Sequence, residues 1–217
     1  MLFRSETYLN VQGIEDVLIY ICHCYASLWG DRAVSYRFNQ GYNQSSVAIA
    51  VVIQEMVESE KAGVLFTVNP VSKKENEMQI NASYGLGESV VSGRVTADSY
   101  IVDKNGEIIE VAIGSKETQI IYGEKNTVEV TVDDNDRKKR ALNDREISEL
   151  INSGLKIEKH YKMPMDIEWA IKDDEVYILQ ARAITTLKSS TNSISEDNLV
   201  KQYTKNKKIN KSTREMM

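Results

Sequence analysis

Residues 166–182, DIEWAIKDDEVYILQAR, carry a carboxylate, an amide and a guanidinium at a spacing that would let them share one ligand. Glu168 sits in one alternating run; Gln180 and Arg182 sit in the next, across the short polar link Lys172-Asp173-Asp174-Glu175. Two β-prone runs joined this way predict an antiparallel hairpin. A turn centred near Asp174 sets Glu168 opposite Gln180 at about 5 Å between β-carbons, and alternation brings Ile178 and Arg182 to the same face. Mg²⁺ prefers hard oxygens at roughly 2.0 to 2.1 Å and takes only one or two from protein, the rest from water and phosphates. Glu168 and Gln180 could be those two metal ligands. Arg182 adds a planar fork of donors matched to phosphate oxygens. The other reading of the same residues is a half-exposed sheet face on which Glu168 and Arg182 form a weak cross-strand pair.

The elements that must position this trio follow from patterning. Asn143-Asp144 caps an amphipathic helix over about Arg145–Lys162, with Ile147, Leu150, Ile151, Leu155 and Ile157 as its apolar positions and Glu146 in its first turn. That helix delivers the chain to the hairpin through Pro164. Upstream, residues 47–57 (VAIAVVIQEMV) are dense in β-branched side chains and predict a buried strand whose polar end, Gln54-Glu55, emerges into a site or linker. GVLFTV (63–68) before Asn69-Pro70 and MQINAS (78–83) predict two more strands, and the short alternating runs of 99–132 an antiparallel sheet. Between them YGLGESVVSG (84–93) offers Gly85, Gly87 and Gly93 for close backbone approach, but it lacks the lysine and spacing of a phosphate loop, and a plain strand-to-strand turn fits it too.

The chain has 217 residues, 41% hydrophobic and 27% charged, enough for a sizeable core in one domain or two lobes. A net charge of −5 argues against a nucleic-acid partner. No run approaches the ~20 apolar residues of a membrane span and no charged-then-apolar leader is visible, so no membrane partner and a cytoplasmic location are expected. Cys22-His23-Cys24 resembles a metal clip, but residues 14–29 read as an amphipathic helix with Val17, Leu18, Ile21 and Leu28 on a buried stripe. Side chains two apart on a helix diverge, so core or surface thiols are expected. His160, late in a charged helix, reads as a solvated helix-end residue. Beyond Leu187 serine, threonine, asparagine and lysine dominate, which predicts a flexible linker or tail over 188–217.

The strings AGVLFTVNP (62–70), INASYGLGESVVSGRVTADSYIV (80–102), DIEWAI and YILQAR closely resemble the nucleotide-binding domain shared by phosphoenolpyruvate synthase, pyruvate phosphate dikinase and rifampicin phosphotransferase. The resemblance covers about residues 6–187 and favours the nucleotide-metal reading of the hairpin. Within the group, the Asn69-Pro70 turn and ITTL at 184–187 look most like rifampicin phosphotransferase. The resemblance implies an α+β, ATP-grasp-like fold with mixed or antiparallel sheets and flanking helices. Residues 1–187 would form a partial domain, mainly the C-terminal part of a clamp around ATP and Mg²⁺. It also implies phosphorylation of a histidine on a separate swivelling domain with release of AMP and phosphate, followed by transfer to pyruvate or rifampicin. By motif position, Glu168 and Gln180 would hold metal and phosphates, and Arg182 would pair with phosphate as the catalytic group. Gln54 matches the hinge that meets the adenine side, and Thr7, in ETYLN, a position near the phosphates. Such work is positioning and charge neutralisation.

The departures set the other expectations. The family's phosphate-binding lysine, its arginine segment and the glycine before the TYLN-like stretch have no counterpart here, Ala183 stands where proline usually follows QxR, and neither His23 nor His160 has the context of the acceptor histidine. The missing N-terminal lobe and the phosphohistidine domain would then be partners on other chains if the enzyme is split. A truncated nucleotide-binding remnant and a plain interaction domain are the alternatives.

Overall fold

The computed structural model describes residues 6–124 and 126–184, and these form an α+β unit. Its centre is a six-stranded sheet in the order β4-β3-β2-β1-β7-β8, built from β1 Lys61–Phe66, β2 Glu77–Tyr84, β3 Asp98–Asp103, β4 Ile108–Ala112, β7 Met165–Lys172 and β8 Glu175–Ala183. Every neighbouring pair in it is antiparallel. β5 Thr118–Tyr122 and β6 Thr127–Thr131 form a separate antiparallel hairpin, joined to the loop after β2 by one parallel bridge between Gly85 and Ile120. The runs at 99–132 therefore divide between two sheets.

Helix α5, Asp144–Tyr161, covers one face of the large sheet and packs on β1, β7 and β8. Its start is fixed as the sequence predicts: Asn143 Oδ1 accepts from Glu146 N at 2.9 Å while Glu146 Oε2 accepts from Asn143 N at 2.8 Å, a reciprocal capping box. Glu146 is buried because it also takes Lys61 Nζ of β1 at 2.7 Å, so one carboxylate caps the helix and pins it to the sheet. Ile147, Leu150 and Ile151 face Leu65, Met78, Ile80, Ile167 and Trp169 in the core. Complete burial of such a side chain contributes about 1.5–3 kcal/mol. Gly154 lets α5 come close, since a Cβ there would lie 2.7 Å from Leu65 Cδ2 and 2.9 Å from Met78 Cε.

Two expectations fail toward the N-terminus. Residues 47–57 belong to no strand; Val52 and Ile53 are 80% and 67% exposed. β-branched residues favour extended backbone, but a strand also needs a partner for its N–H and C=O groups, and none pairs with this segment among the described residues. Helix α1, Gly13–Ser27, forms as predicted, yet it has no buried residue, and Leu18 is 57% exposed. Leu28, just beyond it, is buried. Helix α2, Asp31–Asn39, follows, with Arg37 over the Trp29 ring at 5.5 Å. Two short helices, α3 Glu88–Val91 and α4 Asp134–Arg137, complete the unit. The expected tail at 188–217 and the end of ITTL lie outside the described residues.

Candidate functional site

The β7–β8 hairpin turns through Asp173 and Asp174, both left-handed at φ 49° and 62°, between the paired residues Lys172 and Glu175. Positive φ at both turn positions matches the right-handed twist of the strands. From that tight turn the pairing runs Ile171–Val176, Ala170–Tyr177 and Trp169–Ile178, and an irregularity then leaves Leu179 unpaired, so that Glu168 meets Gln180 and Asp166 meets Arg182. Glu168 does face Gln180, but by a different route from the one the sequence suggested. The turn is centred one half-step earlier, and the bulge restores the offset. Ile178 consequently stands opposite buried Trp169, off the Glu168 face on which it was expected.

Following register across the sheet, the face turned away from α5 carries two polar rows. One contains Ser99, Asn81, Val64, Glu168 and Gln180; the other contains Ile101, Gln79, Phe66, Asp166 and Arg182. Arg182 is not free: its Nε and Nη2 donate to Asp166 Oδ2 at 2.8 and 2.7 Å. Asp166 Oδ1 is buried with no hydrogen-bond partner, as is Gln79 Oε1. Among the described residues, no protein donor hydrogen-bonds the side chains of Glu168 or Gln180. Burial pushes the Glu168 carboxyl above the ordinary range; the Arg182 charge opposes this and Asp166 adds to it.

This donor set fits a small hard cation. Asp166 Oδ1, Glu168 and the Gln180 amide supply oxygens left without protein donors on one face, which is the chemistry Mg²⁺ accepts. No group of three or more His, Cys, Asp or Glu placed to hold a metal ion occurs among the described residues. Cys22 is exposed and Cys24 half-buried, neither in such a group, and the His23 ring meets Tyr20 edge-on and Tyr8 at a tilt.

Thr7 and Gln54 come together elsewhere. Both line a cavity of about 640 Å³ walled by Tyr20 and Ile21 of α1, the extended segment 49–56 and Tyr122 of β5. Glu168, Gln180 and Arg182 are not among its lining residues. The five residues singled out in the sequence thus fall into two groups, one on the sheet face and one in the cavity. Asp166 was missed. The signal was available, because acids two apart in Asp166-Ile167-Glu168 must share a strand face.

An α+β unit built on a six-stranded antiparallel sheet with one polar face is the class that the fold defines. A family model described as "Pyruvate phosphate dikinase, AMP/ATP-binding domain" matches residues 4–203, and the chain belongs to that family. Among curated relatives it is 49% identical over 187 residues to a probable phosphoenolpyruvate synthase of Methanocaldococcus jannaschii, covering 85% of this chain and 16% of that protein. It is 49% identical over 195 residues to phosphoenolpyruvate synthase of Pyrococcus furiosus (85% and 24%) and 45% over 186 residues to rifampicin phosphotransferase of Bacillus cereus (85% and 21%). The chain therefore spans no more than about a quarter of these relatives' lengths. These identities do not single out the phosphotransferase, as the Asn69-Pro70 turn had suggested.

Proposed function

We propose that this chain is the nucleotide-holding part of an ATP-dependent phosphotransferase that phosphorylates a histidine on a separate domain, releasing AMP and phosphate, for onward transfer to pyruvate or rifampicin. The observation that supports it is the single sheet face that carries Asp166, Glu168, Gln180 and Arg182, with Asp166 Oδ1 left without a hydrogen-bond partner. In this reading residues 1–187 are the C-terminal part of the clamp. Glu168 and Gln180 hold the metal and the phosphate tail, Asp166 orients Arg182, and Arg182 aims its remaining N–H donors at phosphate oxygens. Mg²⁺, when bound, would neutralise phosphate charge and fix the tail in line for transfer. Gln54 meets the adenine side, and Thr7, matched by resemblance to a position near the phosphates, lines the same cavity.

Mg·ATP titrated calorimetrically into the full chain tests this. Binding that Glu168→Ala weakens about tenfold or more, with the domain still folded, is the expected outcome. Equal affinity in variant and parent removes Glu168 from the site, and no heat at millimolar nucleotide favours an interaction domain.

A second reading, binding without turnover, is favoured by one observation. Arg182 is the only cation in the two polar rows, and Asp166 already neutralises it. In this reading a lysine-bearing lobe of the kind the family resemblance implies would supply the further positive charge. AMP formation when such a lobe and a histidine domain are present supports turnover, and its absence with Mg·ATP still bound supports binding alone.

A further inference from the structure

Asn10 is 6% exposed, and its backbone is left-handed at φ 54°. That conformation is uncommon outside glycine, and asparagine tolerates it better than most residues. Its amide Nδ2 donates to Gly123 O and Asn126 O, both at 3.1 Å, at the end of the β5–β6 hairpin. Its Oδ1 accepts from Gln12 Nε2 at 3.0 Å, and Gln12 reaches Glu124 O at 3.0 Å. The Asn10 backbone N–H points at Met56 Sδ. One side chain and its own N–H thereby join three segments distant in sequence, and Asn10, Met56, Gln54 and Tyr122 all line the 640 Å³ cavity. A two-stranded hairpin is marginal alone, so the position of Tyr122 depends on what ties β5–β6 down. Midway along β5 the hairpin is also held by the Gly85–Ile120 bridge.

We propose that Asn10 is a positioning residue for the nucleoside end of the bound nucleotide: its amide holds the β5–β6 turn against the Gln54 segment and so sets the spacing of the cavity walls. This rests on the reading that the Gln54 wall takes the adenine side while the β7–β8 face takes the phosphates. Asn10 has no hydrogen bond to that face. Loss of its amide should therefore separate the two ends of the ligand.

The test uses the full chain with Asn10→Asp, which keeps the shape but faces two carbonyl oxygens with a carboxylate, and Asn10→Gly, which keeps the left-handed backbone and deletes the amide. Adenosine, Mg·ATP and Mg·tripolyphosphate are titrated into each. The expected result is a loss of about tenfold for adenosine and Mg·ATP in both variants, with tripolyphosphate affinity within about twofold of the parent. Asn10→Gly binding adenosine like the parent shows that backbone shape alone matters and overturns the proposal. An equal loss for tripolyphosphate reveals general damage and overturns it too. If the parent binds neither adenosine nor Mg·ATP, the nucleotide reading itself falls; if the parent binds and both variants match it, only the role of Asn10 falls.

Discussion

At the scale of single residues, Glu168 has the most to say about pH. Its folded carboxyl holds a proton more tightly than the ordinary value of 4.5, chiefly because burial desolvates the charge, with Arg182 opposing and Asp166 reinforcing. A raised folded value means that full stability is present below the unfolded value and is lost as pH rises through the folded one. Glu168→Gln removes that penalty while leaving no hydrogen bond broken among the described residues. The variant should melt above the parent at pH 7, and the gap should close at or below about pH 4. A gap that persists at low pH would mean that packing, not charge, was altered. The hairpin was legible from alternation, and Glu168 was set opposite Gln180 by assuming a turn half a step later than the true one; the irregularity at Leu179 that restores the pairing was not legible. The engagement of Arg182 by Asp166 was not, because sequence gives the face on which two groups lie without giving their distance.

At the scale of elements, α5 and the strands that it covers were readable because local signals agree with the fold: a capping box, a 3.6-residue apolar period and β-branched runs. Gly154 is the point where helix and sheet are closest, so Gly154→Val sets a gain in helix propensity of under about 1 kcal/mol against overpacking of about 1–3 kcal/mol. The clash should win, lowering the urea midpoint with an unchanged slope; a midpoint equal to or above the parent's would show that Leu65 and Met78 move aside. The segment 47–57 misled for a reason that sequence cannot show. Its residues suit a strand, but strand formation is a property of two chains, and the second is missing among the described residues. The stripe on α1 misled likewise: amphipathic spacing identifies which side seeks cover, not whether cover is there.

At the scale of the whole molecule, the described surface is uneven. The large sheet and α5 enclose a well-filled core, whereas Ile14, Leu18, Trp29, Phe38, Val52 and Ile53, all within residues 14–53, are each more than half exposed. Surfaces of this kind mark contact sites or association hazards. The full chain should bind a hydrophobic dye and self-associate, and Ile14→Glu with Phe38→Glu should reduce both while shifting stability by no more than about 0.5 kcal/mol per site. A monomer with no dye response and one sharp melt would refute this. No helix among the described residues is long and apolar enough to cross a membrane.

The unpaired Leu179 shows how narrowly this chemistry is encoded. Counting outward from the Asp173-Asp174 bend without it, Glu168 would meet Leu179, and Gln180 would meet Ile167 on the oily side of the sheet. One surplus amino acid shifts the pleat by half a repeat and turns the QxR string toward solvent and the acids. Lineages that lose or gain a residue between Ile171 and Tyr177 would keep every letter of both strings and still lose the constellation, so counting the letters between them matters as much as reading them.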